Sequence, residues 1–511
     1  MTLRVFLIGL FIFLLPQLHG QEVKELLHNY AAVEFLVSKE SFAKVRAIEG
    51  IYIDHGTHGD SIKMIATGEA YANFEDMGIS HQIIETPFKK LRLMTYDEIL
   101  KLKANSNCLP VMDYYPSYEA YEELMYSFQE NYPQICKVIN IGTLSSGRKI
   151  LVAQISGEFN GEMLKPNFFY TATMHGDELL GYPLMIQLID HLLCNYGMDS
   201  ELTELVDGIN IFINPLANPN GTYRGGNDTV DRSMRWNDNF VDLNRNFPDP
   251  DVGDNPDGRD YQEETLIFMN FADSIDIHMS SNLHGGVEVL NYPWDTYEER
   301  HADDDWFVRI SRDYADSVQY YSFPGYFTDF NNGITNGYDW TEIKGGRQDY
   351  HTYFKRARET TLELSDEKRM DPDSIPAYWD YNRGALLNYL GEALFGLRGR
   401  VVDCETGVPL KAEVSIEGFD KLNSSVFSNE KNGFYFRFID DGSYDFNFTA
   451  PDYESQTHTI DVVDKSTIKF DVQLCPEVMS SVGDKASEQL QLLVFAEYLE
   501  ISYRIILRFQ I

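Results

Sequence analysis

Beyond the first twenty residues the chain has no long apolar run, so nothing after Gly20 reads as a bilayer-spanning helix. Cationic side chains are scarce: 42 Lys and Arg stand against 80 Asp and Glu, a formal net charge of −38. That balance argues against capture of nucleic acid or anionic lipid and fits a soluble, strongly acidic protein. Only five cysteines occur, Cys108, Cys136, Cys194, Cys404 and Cys475. They are too few and too scattered for a disulfide scaffold or a thiolate metal site, although Cys404 and Cys475 bracket one candidate domain and the odd count leaves at least one unpaired. The Gly-x-Ser-x-Gly elbow is also missing, which removes one type of serine hydrolase.

What is present begins with an export signal over residues 1–20: a basic start at Arg4, an apolar stretch from Val5 to Leu15, and a small residue at Gly20. The expected location is therefore outside the cytoplasm, secreted to an extracellular or periplasmic space. Residues 21–92 alternate short apolar and polar runs without any chemical constellation and read as a small α+β accessory or pro-region. Polar, irregular composition over 93–110 suggests a linker.

From 111 to 396 strand and helix patterns alternate. A helical period runs from Tyr118 to Tyr132, strands are expected at Ile150–Ile155, Asn167–Thr173 and Gly208–Ile213, and a long helix from Tyr182 to Tyr196. This predicts an α/β unit with a mixed, largely parallel sheet flanked by helices, closed by a helix from Tyr378 to Phe395. Its functional groups belong at the carboxyl ends of the strands. Between 397 and 475 the period changes to two, in runs such as Gly433–Phe438 and Tyr444–Phe448, and six or seven short strands predict a small β-sandwich. The tail 476–511 has one amphipathic stretch and no assignable role.

Chemistry starts at His175-Gly176-Asp177-Glu178, a His and a Glu three apart where a strand turns into a helix. Nitrogen and oxygen donors at such a turn can reach one point and suit zinc. With twelve histidines in the chain, a Glu three residues after one of them also arises by chance. A catalytic zinc site needs a third ligand, and His278 and His284 are the candidates. His284 stands where an apolar strand runs into Gly285-Gly286, whereas His278 lies within the strand and suits a core or supporting role. His191, His301 and His351 fall on expected helices or loops and read as surface residues. Arg235 and the run Asp242-Leu243-Asn244-Arg245-Asn246-Phe247-Pro248 offer Asn and Arg together, a fork for a carboxylate, the group every peptide carries at its C-terminus.

The His-x-x-Glu, the Asp-Leu-Asn-Arg-Asn-Phe-Pro run, Asn282-Leu283-His284-Gly285-Gly286 and Thr361-Leu362-Glu363-Leu364-Ser365 stand in the order and approximate spacing of the M14 metallocarboxypeptidases. Over about residues 110–396 the chain resembles the subgroup containing carboxypeptidases N, E, M and D, and the β-sandwich resembles the transthyretin-like domain that follows it there. The resemblance implies one Zn2+ held by His175, Glu178 and His284, Glu363 as general base, Arg235 as the cation that steadies an oxyanion, and Asn244 and Arg245 as the clamp on the substrate's terminal carboxylate. It also implies Asp295, eleven residues after His284, and Gln348 as pocket residues favouring terminal Lys or Arg. The expected partners are peptide and protein C-termini. The family's usual tyrosine twenty-two residues before the base is replaced by Thr341, leaving Trp340 and Tyr350 as aromatic candidates for covering the substrate. Two other readings compete: a related zinc amidohydrolase acting on cell-wall peptides or acylated amino acids, and a non-catalytic peptide-binding or adhesion protein.

Overall fold

The computed structural model describes residues 23–477 apart from positions 30–31, 46–47, 49, 59, 85–89, 104–107 and 160–163. The expected export signal, and all of the tail beyond residue 477, lie outside the described residues. An eight-stranded sheet organises the centre. Its order across is Ile334–Asn336, Val287–Tyr292, Arg358–Ser365, Met279–His284, Asn167–Ala172, Asn210–Asn214, Lys149–Ile155 and Cys136–Thr143. The four strands from Arg358–Ser365 to Asn210–Asn214 run parallel; Val287–Tyr292 and Lys149–Ile155 join them antiparallel, and Ile334–Asn336 pairs parallel with Val287–Tyr292, so the sheet is mixed as expected. All residues of Met279–His284 and Arg358–Ser365 are buried, as strands covered on both faces require.

The helices around it follow from their sequences. Ser117 caps Tyr118–Asn131 by accepting from the Ala120 amide, and Tyr121, Leu124, Met125 and Phe128 form its buried stripe. Gly181–Asn195 is apolar almost all round and is correspondingly buried along most of its length. The closing helix spans Ile375–Gly391, with Pro376 in its first turn, where a missing amide costs nothing. The segment expected as a linker is structured: Leu93–Met94 pairs with Tyr115–Pro116, and Tyr96–Lys103 is a helix that buries Ile99.

Two smaller units flank this centre. The N-terminal one is a four-stranded antiparallel sheet in the order Ile51–His58, Ser61–Thr67, Ala32–Ser38, His81–Ile83 with helices at Lys39–Val45 and Gly68–Asp76. Val33, Phe35, Val37, Met64, Ala66, Tyr71 and Phe74 make its core. The C-terminal unit has two four-stranded sheets, one built on Gly396–Asp403 and one on Glu413–Ile416 and Gly442–Thr449. Val401, Val414, Tyr435, Phe446 and Phe448 fill the space between them, so the period-two pattern does form a sandwich, with eight strands. Disulfides join Cys108 to Cys194 and Cys404 to Cys475, and Cys136 is free and buried.

Candidate active site

The parallel strands converge on one spot at their carboxyl ends. Asn167–Ala172 runs out through Thr173, which holds a left-handed backbone (φ 62°), and turns sharply to deliver His175 and Glu178. Gly176 in that turn lies so close to the backbones of Gly221, Thr222 and Met234 that no side chain fits there. Met279–His284 ends on His284, and its register sets His284 directly beside Glu363 of the neighbouring parallel strand. Three residues from distant stretches thereby meet. His175 Nδ1 is 2.8 Å from Glu178 Oε1, His284 Nδ1 is 2.8 Å from Glu178 Oε2, and the two Nδ1 atoms are 3.1 Å apart.

All three are almost fully buried. Burial pushes His284 down to about 4, leaving its ring neutral with a lone pair to give. At His175 burial and Arg235 oppose a positive charge, yet Glu178 and Asp242 outweigh them and the shift is upward. Burial also works against the Glu178 charge, but the two histidines hold it well below the usual carboxylate range. Facing nitrogens beside a buried carboxylate are what a cation would satisfy, and the two-nitrogen, one-oxygen donor set is that of catalytic zinc.

The supporting contacts are specific. Asp242 Oδ1 lies 3.0 Å from His175 Nε2 and accepts the Asn244 amide, while Asp242 Oδ2 accepts from Arg235 Nε at 2.9 Å. Arg235 Nη1 also reaches Glu178 at 3.4 Å. Asp242 ties the His175 ring, Arg235 and the Asn244 backbone together, a linkage not visible in the motif that contains it. Asn282, 2.7 Å from His284 Nε2, is the matching support on the other ring. Neither was singled out from sequence, and the signal available was position: each stands two residues from a site residue.

A cavity of about 30 Å³ is lined by His175, Arg235, Asn244, Arg245, His284, Asp295, Thr341 and Glu363 among others. Gln348 joins it through Asp295, whose Oδ1 accepts from Gln348 Nε2 and Asn291 Nδ2, both at 2.9 Å. Gly337 packs directly on Asp295, where a Cβ would collide with the carboxylate. Burial raises Asp295 to about 6 against the pull of Asn291 and Arg245. Trp340 lines the cavity beside Thr341, whereas Tyr350 is buried against Phe247 in the core and takes no part. His278 is not a ligand: its Nδ1 accepts from the Asn167 amide and its ring packs on Phe436. The surface role expected for His301 and His351 is corrected, since both are buried. His301 sits under Trp294 beside Asp303, His351 Nδ1 lies 2.6 Å from Glu359, and burial pushes both imidazoles down, toward the neutral form that an interior site tolerates.

Residues 121–385 match the zinc carboxypeptidase family Peptidase_M14. The chain belongs to the M14 zinc carboxypeptidases. It is 33% identical to carboxypeptidase M of Mus musculus over 368 residues, 69% of this chain and 82% of that one. It is 32% identical to the carboxypeptidase N catalytic chain of Homo sapiens over 391 residues, 69% and 84% of the two chains. Carboxypeptidase SOL1 of Arabidopsis thaliana is 32% identical over 370 residues, covering 70% of this chain and 72% of the relative. The fold is similar to that of carboxypeptidase A from Helicoverpa armigera, with a TM-score of 0.55 at 18% identity, covering 72% of this chain and 98% of that one. This carboxypeptidase is therefore a zinc metallopeptidase whose substrates are peptide C-termini. Among its described residues no helix is long and apolar enough to cross a membrane.

Proposed function

We propose that the enzyme removes C-terminal Lys or Arg from exported peptides, with Zn2+ on His175 Nδ1, Glu178 and His284 Nδ1. The bound metal supplies Lewis acidity and a water of lowered pKa. The carboxylate of Glu363 takes the proton from the attacking water and returns it to the leaving amine. Arg235 steadies the negative charge that grows on the scissile oxygen. Asn244 and Arg245 hold the substrate's terminal carboxylate, and Asp295, steadied by Gln348 and Asn291, meets a terminal cation. Export is supported by the signal pattern of residues 1–20 and by the two disulfides, which persist in oxidising compartments. The β-sandwich is read as the transthyretin-like companion of the catalytic unit, and residues 21–92 as a pro-region.

The observation that carries the reading is the meeting of the three donors, Glu363, the Asn244-Arg245 pair and buried Asp295 around one cavity. The pro-region reading is supported by where the N-terminal sheet docks: its Ala32 and Ile65 cover Trp236, next to Arg235. Glu363→Gln is the test. With zinc still bound, turnover of hippuryl-arginine should fall by roughly 10²–10⁴-fold, the worth of a positioned base. A variant that keeps wild-type turnover would sink the proposal.

A further inference from the structure

Behind the site lies a buried ion pair that the reaction itself does not use. Arg347 and Glu359 are fully buried, with Arg347 Nε 2.9 Å from Glu359 Oε1 and Nη2 3.1 Å from Oε2. Arg347 is stacked over the rings of Phe169 and Phe268 at 5.3 and 6.0 Å. Glu359 further accepts from Ser280 Oγ at 2.6 Å and faces His351 Nδ1 at 2.6 Å. Removing two charges from water is costly, and an apolar pair of the same volume is often as stable or more so. Stability alone is thus a poor account of this pair, and its remaining contacts point elsewhere.

The free corner of the guanidinium, Nη1, donates to Thr171 Oγ1. Thr171 Oγ1 is 2.8 Å from the Asn282 side-chain amide, and that amide is 2.7 Å from His284 Nε2. As placed, Thr171 Oγ1 donates to Asn282 Oδ1 and Asn282 Nδ2 faces His284 Nε2. Turned over, the same amide donates from Nδ2 to Thr171 Oγ1 and accepts at Oδ1 from a ring that carries its proton at Nε2, the tautomer that a metal at Nδ1 demands. The backbone of the same arginine holds the substrate side of the cavity: Arg347 N donates to Asn244 Oδ1 at 2.9 Å, and the next residue, Gln348, holds Asp295.

We infer that Arg347, anchored by Glu359, is a positioning residue that fixes the ring of His284 through Thr171 and Asn282, and so sets the affinity of the site for zinc. The inference rests on His284 being a zinc ligand. A ligand ring locked by a hydrogen-bonded partner loses less freedom on binding, and loss of such a partner commonly lowers metal affinity by about 10–100-fold. The link from guanidinium to ring passes through a single hydroxyl, which makes it separable from the ion pair.

The experiment measures zinc affinity of the purified full chain by competition with a chromogenic chelator, together with thermal stability and hippuryl-arginine turnover. Thr171→Val leaves the ion pair whole and should weaken zinc binding about tenfold or more. Arg347→Met with Glu359→Leu removes both charges, so no carboxylate is stranded, and should lower zinc affinity equally while unfolding near the wild-type temperature. Adding Thr171→Val to that pair should cost nothing further, because all three changes cut one path. Should the Arg347→Met, Glu359→Leu protein fail to fold, Thr171→Val alone decides. Wild-type zinc affinity in folded Thr171→Val protein, or losses that add in full, overturns the inference. Wild-type protein that takes up no zinc fails the carboxypeptidase reading, and the inference with it.

Discussion

The two flanking units dock on the same catalytic centre by opposite means. The β-sandwich is cemented: Asp303 of the centre, fully buried, accepts from Arg437 of the sandwich at 2.6 Å and lies 2.7 Å from Arg358 of the central sheet. Arg437 returns to Asp420 at 2.9 Å, Arg358 donates to Ser424 O, and Phe438 stacks on Trp306. The N-terminal unit docks through a small apolar seam and longer polar contacts. Its contacts include Ala32 and Ile65 on Trp236, the Tyr52 ring 6.0 Å from that indole, a 3.7 Å pair of Glu34 with Lys368, Arg224 reaching Asn29 O, and Arg232 3.4 Å from His28. One strand illustrates how this second unit divides its residues. Ile62, Met64 and Ala66 alternate into its own core while Ile65 points the other way, at the catalytic unit. Each unit has a core of its own, but the sandwich also buries charged groups jointly with the centre, so parting it costs more than parting the N-terminal sheet.

Asp303→Ala should break the comparison at its strong end. Arg358 would be left buried without its carboxylate and Arg437 with Asp420 alone, a loss on the order of 3–5 kcal/mol, read as a lowered midpoint in chemical denaturation. The acid limb offers a second reading. Burial alone would raise Asp303, but Arg437 and Arg358 hold it down at about 2 in the folded chain against 3.8 ordinarily. Its contribution is therefore complete above about pH 4 and is lost as the pH falls toward 2. Wild type should lose its advantage over the variant in that window, and a difference that persists unchanged to pH 2 would show the pair to be unimportant.

How much of this was legible in the sequence depends on whether a residue's meaning is local. His175, Glu178, His284 and Glu363 could be read because each ends a strand or lies in a motif, and the topology that joins them follows from alternating periods. For Asn282 the only sign was its position two residues before His284 on the same strand, and Asp242 could not be read, since its role comes from the His175 ring of another segment. His301 and His351 were misread for the same reason: loop and helix patterns suggest exposure, and the groups that enclose them, Trp294 and Asp303 at one and Glu359 at the other, are met only in space. Leu93–Lys103 looked irregular because a two-residue strand and an eight-residue helix carry too few apolar positions to show a period. The Ile65 face is a middle case, with alternation visible along the strand and its partner Trp236 far along the chain.

Ile65→Asp tests the weak end. A carboxylate at this position gives up the apolar contact with Trp236 and brings a charge into a buried seam, so the N-terminal unit should swing away while its own core stays intact. Turnover of hippuryl-arginine should rise by roughly tenfold, the equivalent of about 1.4 kcal/mol of docking lost. Unchanged turnover in a folded variant would mean that the sheet does not limit access to the site.

The same variant sharpens the comparison through Asp295, whose hydrogen bonds go to Asn291, Gln348 and Asp349 of the catalytic unit. Burial raises this carboxyl to about 6, so its charge is present at pH 7 and mostly lost at pH 5. The KM for a peptide ending in Arg should therefore rise as the pH falls through 6, by about tenfold at most over those two units, while a peptide ending in Leu shows no such step. If the N-terminal unit governs entry alone, wild type and Ile65→Asp differ in kcat/KM by one constant factor and share this pH step. A step that moved in Ile65→Asp would mean that the sheet's departure rearranges the pocket itself, and the light contact at Trp236 would then have to be counted as part of the site.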